Sequence, residues 1–532
     1  MKFKSILFIL ASMIIISSCS DSKHAKYQAL ADQYAKFELK TQVPLTQNEE
    51  EVIALLEKAS DCMEDLYWHV AFGNKDILFK DVTDTSLIKY LHINYGPWDR
   101  LNDNKPFIEL YGPKPLGANF YPADMTDEEF QSIKDPNKTS WYTCIVRNKD
   151  KSLSVKWFHE MFPKKVEEAA SYIEQAAEIT TDITFKKYLN LRATAIRTDN
   201  YLESDMEWME MKDNKLDIVI GPIEKYEDAL YGYKASYSGQ ILVKDKAESN
   251  RYSKFAAQFQ RLQNAIPLPA EYNTEKANTN PDINIYDVIY YAGDCNSASK
   301  NIAISLPNDP RVSNIKGTRK LQLRNVMKAK FDNIVIPISK LVIDPAQQKH
   351  IKFDAFFQNT MFHEVSHGLG VNYTITKPRM ECTDALGNSY TAIEEGKADI
   401  LGLFCVTKMG EWGYLGEKDI LDNYVTFIAG IFRSARFGVA EAHGQTNMMQ
   451  FSQFLESGAI VRNETGKYYT VNLEKMKAEI TRIASQYIKI EADGNKILAD
   501  ELLKERGLLT PTLSSDLDRI AKANIPKDIY FD

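Results

Sequence analysis

The sequence has no excess of basic residues and no repeated or low-complexity tracts. It contains 65 lysines and arginines against 73 aspartates and glutamates, which gives a formal net charge of -8. A nucleic-acid-binding surface needs concentrated positive charge to neutralise phosphates, and no basic cluster stands out from this average. We therefore exclude nucleic acid as a partner.

Cysteine is scarce as well, with six in the whole chain. Cys19 belongs to the N-terminal segment described next. The remaining five are odd in number, so at least one thiol is free; they are Cys62, Cys144, Cys295, Cys382 and Cys405. No two of them have the spacing of a zinc ribbon. So few cysteines exclude a scaffold built on disulfides. A single disulfide is still possible if the protein is exported, because the compartments outside the cytosol are oxidising.

The apolar run at the N-terminus is too short to cross a membrane as a mature helix. It covers residues 6–16, follows two lysines, and ends in Ile16-Ser17-Ser18-Cys19 before a polar segment. This arrangement resembles a bacterial lipoprotein signal, in which the cysteine is lipidated and becomes the mature N-terminus. We expect residues 1–19 to be that signal, and Cys19 to hold the protein at the bacterial cell envelope, on its periplasmic or surface side. The alternative is an ordinary secretory signal with an incidental cysteine.

Helical and strand-like patterns occupy different parts of the remaining chain. Thr46 and Thr126 each begin a capping box, and residues 166–211 have helical spacing in at least two segments. Runs rich in β-branched and aromatic residues then predict strands at 216–220, 239–243, 283–291, 302–306 and 334–343. From residue 353 to the end the pattern is almost entirely helical.

The segment His363-Glu364-Val365-Ser366-His367 concentrates reactive side chains. Apolar residues at helical spacing over 353–369 predict that it lies on a helix with one buried face. Residues i and i+4 share a helix face, so His363 and His367 can bind one metal ion together. Glu364 lies about 100° around the same helix, beside the open position of the metal, where a general base is needed.

A second helical segment, residues 390–409, supplies candidates for the third ligand. Glu395 follows His367 by 28 residues and is well placed for this role. Asp399, one turn further on, can accept the free ring N–H of a ligating histidine and fix its tautomer. Two histidines and one glutamate, with the fourth position left for water, are typical of catalytic zinc. We predict one Zn²⁺ per chain.

Length and patterning together predict an α+β, predominantly helical protein with two lobes around a cleft. A chain of 532 residues is too long for one ordinary core, and its 44% apolar content indicates a folded globular protein. We place a tether at 20–45, a mixed lobe with a small β-sheet or barrel at 46–345, and a mainly helical zinc lobe at 346–532. Residues 246–280 are candidates for the helical lobe. The cleft would hold the substrate.

Several stretches beyond the metal motif are similar to the dipeptidyl peptidase III family of zinc exopeptidases. They span most of residues 35–460, in the family's order, and comprise 37–56, 223–228, 302–309, 363–370, 394–399 and 442–444. This combination is more specific than the metal motif, which many peptidases share. The resemblance implies a mixed lobe and a mostly helical zinc lobe that close on a peptide.

Matched motif by motif, the resemblance implies the same ligands and base, together with four further roles. Glu394 would hydrogen-bond a ligand without binding the metal itself. His443 corresponds to the histidine that stabilises the tetrahedral intermediate, and Tyr226 to the tyrosine that reaches across the cleft for the same purpose. Glu224 corresponds to a carboxylate that receives the ammonium group of the substrate.

The chain departs from the family in two places. The best-known members have one more residue between the two histidines, whereas His363 and His367 keep the usual i,i+4 spacing, which serves zinc equally well. The family also places two asparagines before a Tyr-Asp pair to hold the amino terminus of the substrate. Here that stretch is Asp282-Ile283-Asn284-Ile285-Tyr286-Asp287. Dipeptide-length specificity therefore stays open.

These features predict an exported zinc metallopeptidase that hydrolyses short peptides, releasing N-terminal dipeptides with Glu364 as the general base. One alternative is a zinc peptidase or amidohydrolase of the same fold without dipeptidyl specificity. Another is a lipid-anchored peptide-binding protein without turnover, which the intact Glu364 disfavours because a binder needs no base. The expected partner is an oligopeptide, the lipid at Cys19 is the expected link to a membrane, and the sequence assigns no oligomeric state.

Overall fold

A computed structural model describes residues 23–273, 275–277, 282–376, 378–416, 419–438 and 442–531. The expected signal, including Cys19, lies outside the described residues. No helix within these ranges is long and apolar enough to cross a bilayer. The five cysteines after Cys19 all lie within the described ranges, and all five are free thiols.

The first part of the chain is mainly helical. Its helices are α1 (23–31), α2 (Gln47–Ala71), α3 (Lys75–Phe79), α4 (Thr85–Asn94), α5 (Asp127–Ser132), α6 (Phe158–Met161), α7 (Pro163–Ile179), α8 (Ile183–Thr198) and α9 (Leu202–Glu210). Short strands between them are β1 (Tyr34–Lys36), β2 (Trp98–Asp99), β3 (Lys105–Pro106), β4 (Thr143–Arg147) and β5 (Leu153–Trp157). Both capping boxes are confirmed, at the starts of α2 and α5.

A five-stranded sheet follows, and long α2 packs against it. Its strands are β6 (Leu216–Glu224), β7 (Ser236–Lys244), β8 (Asp282–Gly293), β9 (Ala303–Leu306) and β10 (Arg319–Leu323), arranged in the order β6-β7-β8-β10-β9. The β8–β10 pair is parallel and the others are antiparallel. The helices of this part are α10 (Lys246–Ser253), α11 (Phe259–Ala265), α12 (Pro310–Lys316), α13 (Arg324–Lys330) and α14 (Ile336–Val342).

The last third is a bundle of helices, as the sequence predicted. They are α15 (Phe353–Ser366), α16 (Cys382–Leu386), α17 (Tyr390–Glu411), α18 (Leu421–Ala435), α19 (Ala442–Glu456), α20 (Leu473–Asp493), α21 (Lys496–Arg506) and α22 (Pro511–Lys522). The strands β11 (Ile460–Arg462) and β12 (Tyr469–Val471) pair with each other, and β13 (Asp528–Tyr530) returns to pair with β1.

Two separate apolar cores underlie the two lobes. One joins α2, α7, α8 and the sheet, and the other joins α15, α17, α18 and α20. Apolar residues of α10 and α11, such as Tyr252, Phe259 and Leu262, belong to the core of the helical lobe although they precede β8. Within 20–45, which we expected to be a tether, residues 23–31 are helical and β1 pairs with β13. The predicted fold class, α+β with two lobes, is confirmed.

The predicted strand at 334–343 is wrong. A π-helical turn (Phe331–Val335) leads there into α14, with Pro337 near the start of that helix. Ile334, Val335, Ile338 and Val342 are all fully buried, because this helical segment is surrounded by core on several sides. Apart from Ser339 and Lys340 the run is apolar, so it shows no clear helical period, and its β-branched residues favoured a strand.

Candidate metal centre

Helices α15 and α17 lie against each other and bring the two predicted metal-binding segments together. Gly402 of α17 permits this close approach. A Cβ added at Gly402 would lie 2.9 Å from the backbone nitrogen of His363 and 3.1 Å from the carbonyl carbon of Phe362. Glycine is therefore required at the point where α17 crosses α15 beside His363.

The three predicted ligands converge on one point. The Nε2 atoms of His363 and His367 are 3.2 Å apart. Glu395 Oε2 lies 3.3 Å from His363 Nε2 and 3.9 Å from His367 Nε2. Although α15 ends at Ser366, His367 still has helical backbone angles, so the i,i+4 geometry is preserved. These three residues present two imidazole nitrogens and one carboxylate oxygen to a common centre.

Each histidine is held from behind by a carboxylate. His363 Nδ1 lies 2.8 Å from Asp399 Oδ1, and His367 Nδ1 lies 2.8 Å from Glu394 Oε1. A carboxylate partner at Nδ1 favours the tautomer that carries its proton there, which leaves the Nε2 lone pair facing the centre. Asp399, which the sequence placed beside a histidine, lies behind His363, and Glu394, which the resemblance implied, lies behind His367.

The charges of the centre favour a cation. Burial alone would raise the pKa of the Glu395 carboxyl, but the imidazoles of His363 and His443 outweigh it and hold that pKa well below its usual range. Burial would likewise lower the pKa of His363, yet Asp399 and Glu395 raise it well above its ordinary value. Glu395 Oε2 is buried and has no hydrogen bond of acceptable geometry, despite these nearby nitrogens. A divalent cation fits this donor set.

Three side chains that were not predicted from the sequence hold Asp399 and Glu394 in place. Asn447 Nδ2 and Gln450 Nε2, both on α19, donate to Asp399 Oδ2 at 3.1 and 3.2 Å. Lys397, which is 1% exposed, pairs with Glu394 at 2.8 Å. No sequence spacing relates Asn447 or Gln450 to the metal motif. Lys397 lies between Glu395 and Asp399 in the sequence, but no role was predicted for it.

His443 lies beside Glu395, one of the candidate ligands. Its Nε2 is 3.1 Å from Glu395 Oε2, and its half-exposed ring stacks at 6.0 Å from that of His363. His363, Glu395 and His443 form a group whose ligand atoms all lie within 4.8 Å of one another. The geometry thus allows His443 either to stabilise charge beside the metal or to replace His367 as a ligand.

The predicted base, Glu364, faces the first lobe. Its Oε2 lies 3.9 Å from the Nζ of Lys320, a residue of β10. Neither this lysine nor its strand was predicted from the sequence, because Arg319–Leu323 contains only two apolar residues, both leucines, and no β-branched or aromatic residue. The contact joins the sheet of one lobe to the metal helix of the other.

Tyr226 and Glu224 are not brought into contact with the centre. Tyr226 follows β6 and is 84% exposed. Glu224 ends β6 and is half-buried, and burial raises its pKa.

The Asp282–Asp287 stretch has a structural role within β8. Asp282 pairs with Arg319 at 2.9 Å, Asn284 donates to Asp282, and Asp287 accepts from Thr41 at 2.9 Å. None of these side chains lines the cavity at the metal centre. The stretch that we compared with the family's paired asparagines therefore lies on a strand outside the cavity of the metal centre.

A cavity of about 710 Å³ opens onto the histidines between the lobes. The metal-site residues line it from the helical lobe. Residues 100, 101, 103 and 104 and residues 299–303 line it from the other side. Neither Tyr226 nor Glu224 is among the lining residues. The volume is sufficient for a short peptide segment.

Known proteins of the same architecture match nearly the whole chain. Dipeptidyl peptidase III from Caldithrix abyssi superposes with a TM-score of 0.91 and 34% identity, over 94% of this chain and 98% of that protein. The enzyme from Corallococcus sp. strain EGB superposes with a TM-score of 0.82 and 33% identity, over 96% and 97%. The sequence also matches the family model of peptidase family M49 over residues 129–379. The chain belongs to the dipeptidyl peptidase III family.

Family membership makes this protein a metallopeptidase with peptide substrates, so the predicted family and enzyme class are confirmed. A plant relative is also similar over most of its length. Nudix hydrolase 3 from Arabidopsis thaliana is 29% identical over 585 aligned residues, which cover 97% of this chain and 75% of the plant protein.

A second group of possible ligands lies elsewhere in the helical lobe. His350 Nδ1 is 2.7 Å from Asp422 Oδ1 and 3.7 Å from Asp419 Oδ2, near the start of α18. Asp419 is more than half exposed, and its other oxygen accepts from the backbone of Leu421. These contacts are explained by hydrogen bonds of the two aspartates with His350 and with the backbone before α18, and we assign the group no metal.

Proposed function

We propose that this protein is a zinc-dependent peptidase that releases dipeptides from the amino end of short peptides. The observation that carries the proposal is the convergence of His363, His367 and Glu395 at 3.2–3.9 Å, at the wall of a cavity between two lobes. Each nitrogen ligand has a carboxylate behind it, as ligating histidines commonly do.

His363, His367 and Glu395 would hold the zinc ion. When bound there, zinc supplies a Lewis acid that polarises the scissile carbonyl and makes a water molecule acidic enough to attack at neutral pH. Asp399 and Glu394 keep the two imidazoles oriented, and Asn447 and Gln450 in turn keep Asp399 in place.

Glu364 is placed to move the protons of the reaction. It follows His363 on the same helix and points toward the cavity, with Lys320 at 3.9 Å. Its carboxylate would take a proton from the attacking water and pass it to the leaving amine.

His443 and Tyr226 would stabilise the negative charge that develops on the carbonyl oxygen. His443 already lies beside Glu395, and its Nε2 would donate to the oxyanion. Tyr226, exposed after β6, would reach the same oxygen when the lobes close on a peptide. Each well-aimed donor contributes about 2–4 kcal/mol to transition-state stabilisation.

Glu224 would bind the ammonium group of the peptide and so set the distance to the scissile bond. Burial raises the pKa of its carboxyl, and a cationic ligand would compensate for that cost. A carboxylate at the end of β6 would in this way hold the substrate by its amino end.

Replacing Glu395 tests the metal assignment. Glu395→Ala should lower zinc affinity by at least about 100-fold, because outer hydrogen-bond partners alone commonly contribute 10–100-fold. Glu411→Ala, at the far end of the same helix, is the matched control. Zinc per chain would be measured by mass spectrometry after dialysis, with activity after chelation and zinc addition as a second readout. Full zinc content in Glu395→Ala would remove this residue from the ligand set.

The N-terminal segment supports attachment to the bacterial cell envelope through a lipid on Cys19. We expect the protein in its host to incorporate an alkyne-bearing fatty acid, and Cys19→Ser to abolish the label. Cys62→Ser, which removes a buried thiol, is the control. Equal labelling of Cys19→Ser and the unchanged protein would contradict the lipoprotein assignment.

A further inference from the structure

Tyr226 lies in a loop that is firmly anchored although its own side chain is exposed. Residues 225–235 connect β6 to β7, and we call them the β6–β7 loop. Tyr226 is 84% exposed, but the next two residues, Glu227 and Asp228, are each 2% exposed. Consecutive buried carboxylates are unusual in a connecting loop, because burial of a charge is costly unless the protein supplies partners.

Glu227 is enclosed by two cations and a hydroxyl group. Arg100 donates to both of its carboxylate oxygens, at 2.6 and 3.2 Å, and the Nζ of Lys114 lies 2.7 Å from its Oε1. The hydroxyl of Tyr67, on α2, donates to its Oε2 at 3.2 Å. Burial alone would raise the pKa of Glu227, but Arg100 and Lys114 outweigh it and lower that pKa to about 2. Glu227 is thus tied to three separate parts of the mixed lobe.

Further contacts hold the loop on both sides of this carboxylate. The oxygens of Asp228 accept from the backbone N–H groups of residues 230, 231, 233 and 234 at 2.8–3.2 Å, and from the hydroxyl of Tyr121 at 2.7 Å. Before Tyr226, the Nζ of Lys225 lies over the ring of Trp141, 4.4 Å from its centre. The residues that flank Tyr226 are therefore fixed, while its ring projects into solvent.

The partner of Glu227 also reaches the cavity of the metal centre. Arg100 lines that cavity together with Leu101. Its backbone N–H and its Nε donate to the side-chain and backbone oxygens of Asn94 at 3.0 and 2.6 Å, so Arg100 is itself held in place. The loop that carries Tyr226 and one wall of the cavity are therefore joined through the carboxylate of Glu227.

We propose that Glu227 is a positioning residue, which holds Tyr226 in the orientation from which it reaches the carbonyl oxygen when the lobes close. An exposed ring needs no buried ion cluster for its own stability. A hydrogen-bond donor to an oxyanion is most effective when its position is set beforehand, because it then needs no ordering at the moment of reaction. This inference rests on the role of Tyr226 in the proposed function. Its test therefore separates the two residues.

The test is a double-mutant cycle on the zinc-loaded full chain, with Tyr226→Phe, Glu227→Gln and both changes together. Glu227→Gln keeps the shape of the side chain but removes its charge. We expect it to lower kcat for cleavage of a hexapeptide on the order of tenfold, with zinc content unchanged, since a misplaced donor stabilises the oxyanion less. In the Tyr226→Phe background it should lower kcat by less than about twofold, because the hydroxyl that Glu227 positions is already absent.

Asp516→Asn is the matched control. Asp516 is a fully buried carboxylate of the helical lobe, and it also accepts from an arginine and a tyrosine, Arg462 at 2.8 Å and Tyr469 at 2.6 Å. It does not line the cavity of the metal centre. Its replacement should lower the free energy of unfolding, as that of Glu227 does, because an arginine loses its counter-charge. The folded fraction should nevertheless keep its kcat.

Lys114→Gln is the milder second variant, because it leaves the pairing of Glu227 with Arg100 intact. It should show the same dependence on Tyr226 with a smaller loss of kcat, and it serves if Glu227→Gln does not fold. A purely structural role would lower kcat equally with and without the Tyr226 hydroxyl, or not at all, and either result in an active enzyme would overturn the inference. Full activity of Tyr226→Phe would also overturn it. No cleavage by the unchanged protein would contradict the peptidase proposal as well.

Discussion

At the scale of single residues, each of the two candidate histidine ligands has a carboxylate partner behind it. His363 is oriented by Asp399, and His367 by Glu394. His443 differs, since it contacts Glu395 directly and half of its side chain is exposed. This difference supports a role in stabilising charge rather than a permanent place among the ligands.

Alanine at the two histidines tests that distinction. His367→Ala should lose most bound zinc because it removes a ligand. His443→Ala should retain zinc and lower kcat by about 10²–10³, the usual effect of removing one donor to an oxyanion. Metal content and kcat would be measured on the same preparations. The reverse pattern, with zinc lost from His443→Ala and kept by His367→Ala, would move ligation to His443.

The sequence predicts the residues of the centre where local geometry dictates them. The i,i+4 spacing of His363 and His367 depends only on the helix, and Glu395 and Asp399 follow the same rule within α17. Asn447 and Gln450 could not be predicted in this way, because they reach Asp399 only through the tertiary packing of α19 against α17. His443, Tyr226 and Glu224 depended on resemblance, since no spacing connects them to the motif.

At the level of elements, the distance between α15 and α17 determines whether the ligands meet. Gly402 lies at the closest approach, and its neighbours there are backbone atoms that cannot rotate away. Gly410, on the same helix, has open space where a Cβ would be added. The two glycines therefore form a matched pair in one helix.

Gly402→Ala should force α17 away from α15. We expect a loss of about 1–3 kcal/mol in the free energy of unfolding, typical of overpacking, together with weaker zinc binding. Gly410→Ala should be neutral or stabilising by up to about 1 kcal/mol, because alanine favours a helix. Denaturant unfolding and zinc titration of both variants check this. A Gly402→Ala protein with unchanged zinc affinity would show that helix spacing does not control the centre.

Helices and strands with a clear hydrophobic period were predictable from the sequence. Helix α14 and strand β10, which lack such a period, were not. The capping boxes and the long helices follow from local signals, and four of the five predicted strands correspond to β6, β7, β8 and β9. Helix α14 was mistaken for a strand because burial on several sides erased its period. Strand β10 was missed because its Arg319 is a buried residue that pairs with Asp217, an arrangement that composition cannot indicate.

For the whole molecule, the function depends on a cavity shared by two lobes. Lys320 of the sheet approaches Glu364 of the metal helix, and the lining includes residues from both sides. The two-lobed class followed from length and from the change in pattern along the chain. The cavity lining did not, because residues 100, 101, 103 and 104, residues 299–303 and α18 meet only through tertiary packing.

The most direct test of the account is mass spectrometry of a peptide of six to eight residues incubated with the zinc-loaded full chain. We predict stepwise loss of two residues from the amino end. Glu364→Gln should retain zinc but slow this release by about 10²–10⁴-fold, the usual contribution of a general base. Asp354→Asn, an exposed carboxylate on the same helix, should cleave normally. Cuts of one residue, internal cuts, or no cleavage at all would contradict dipeptide release.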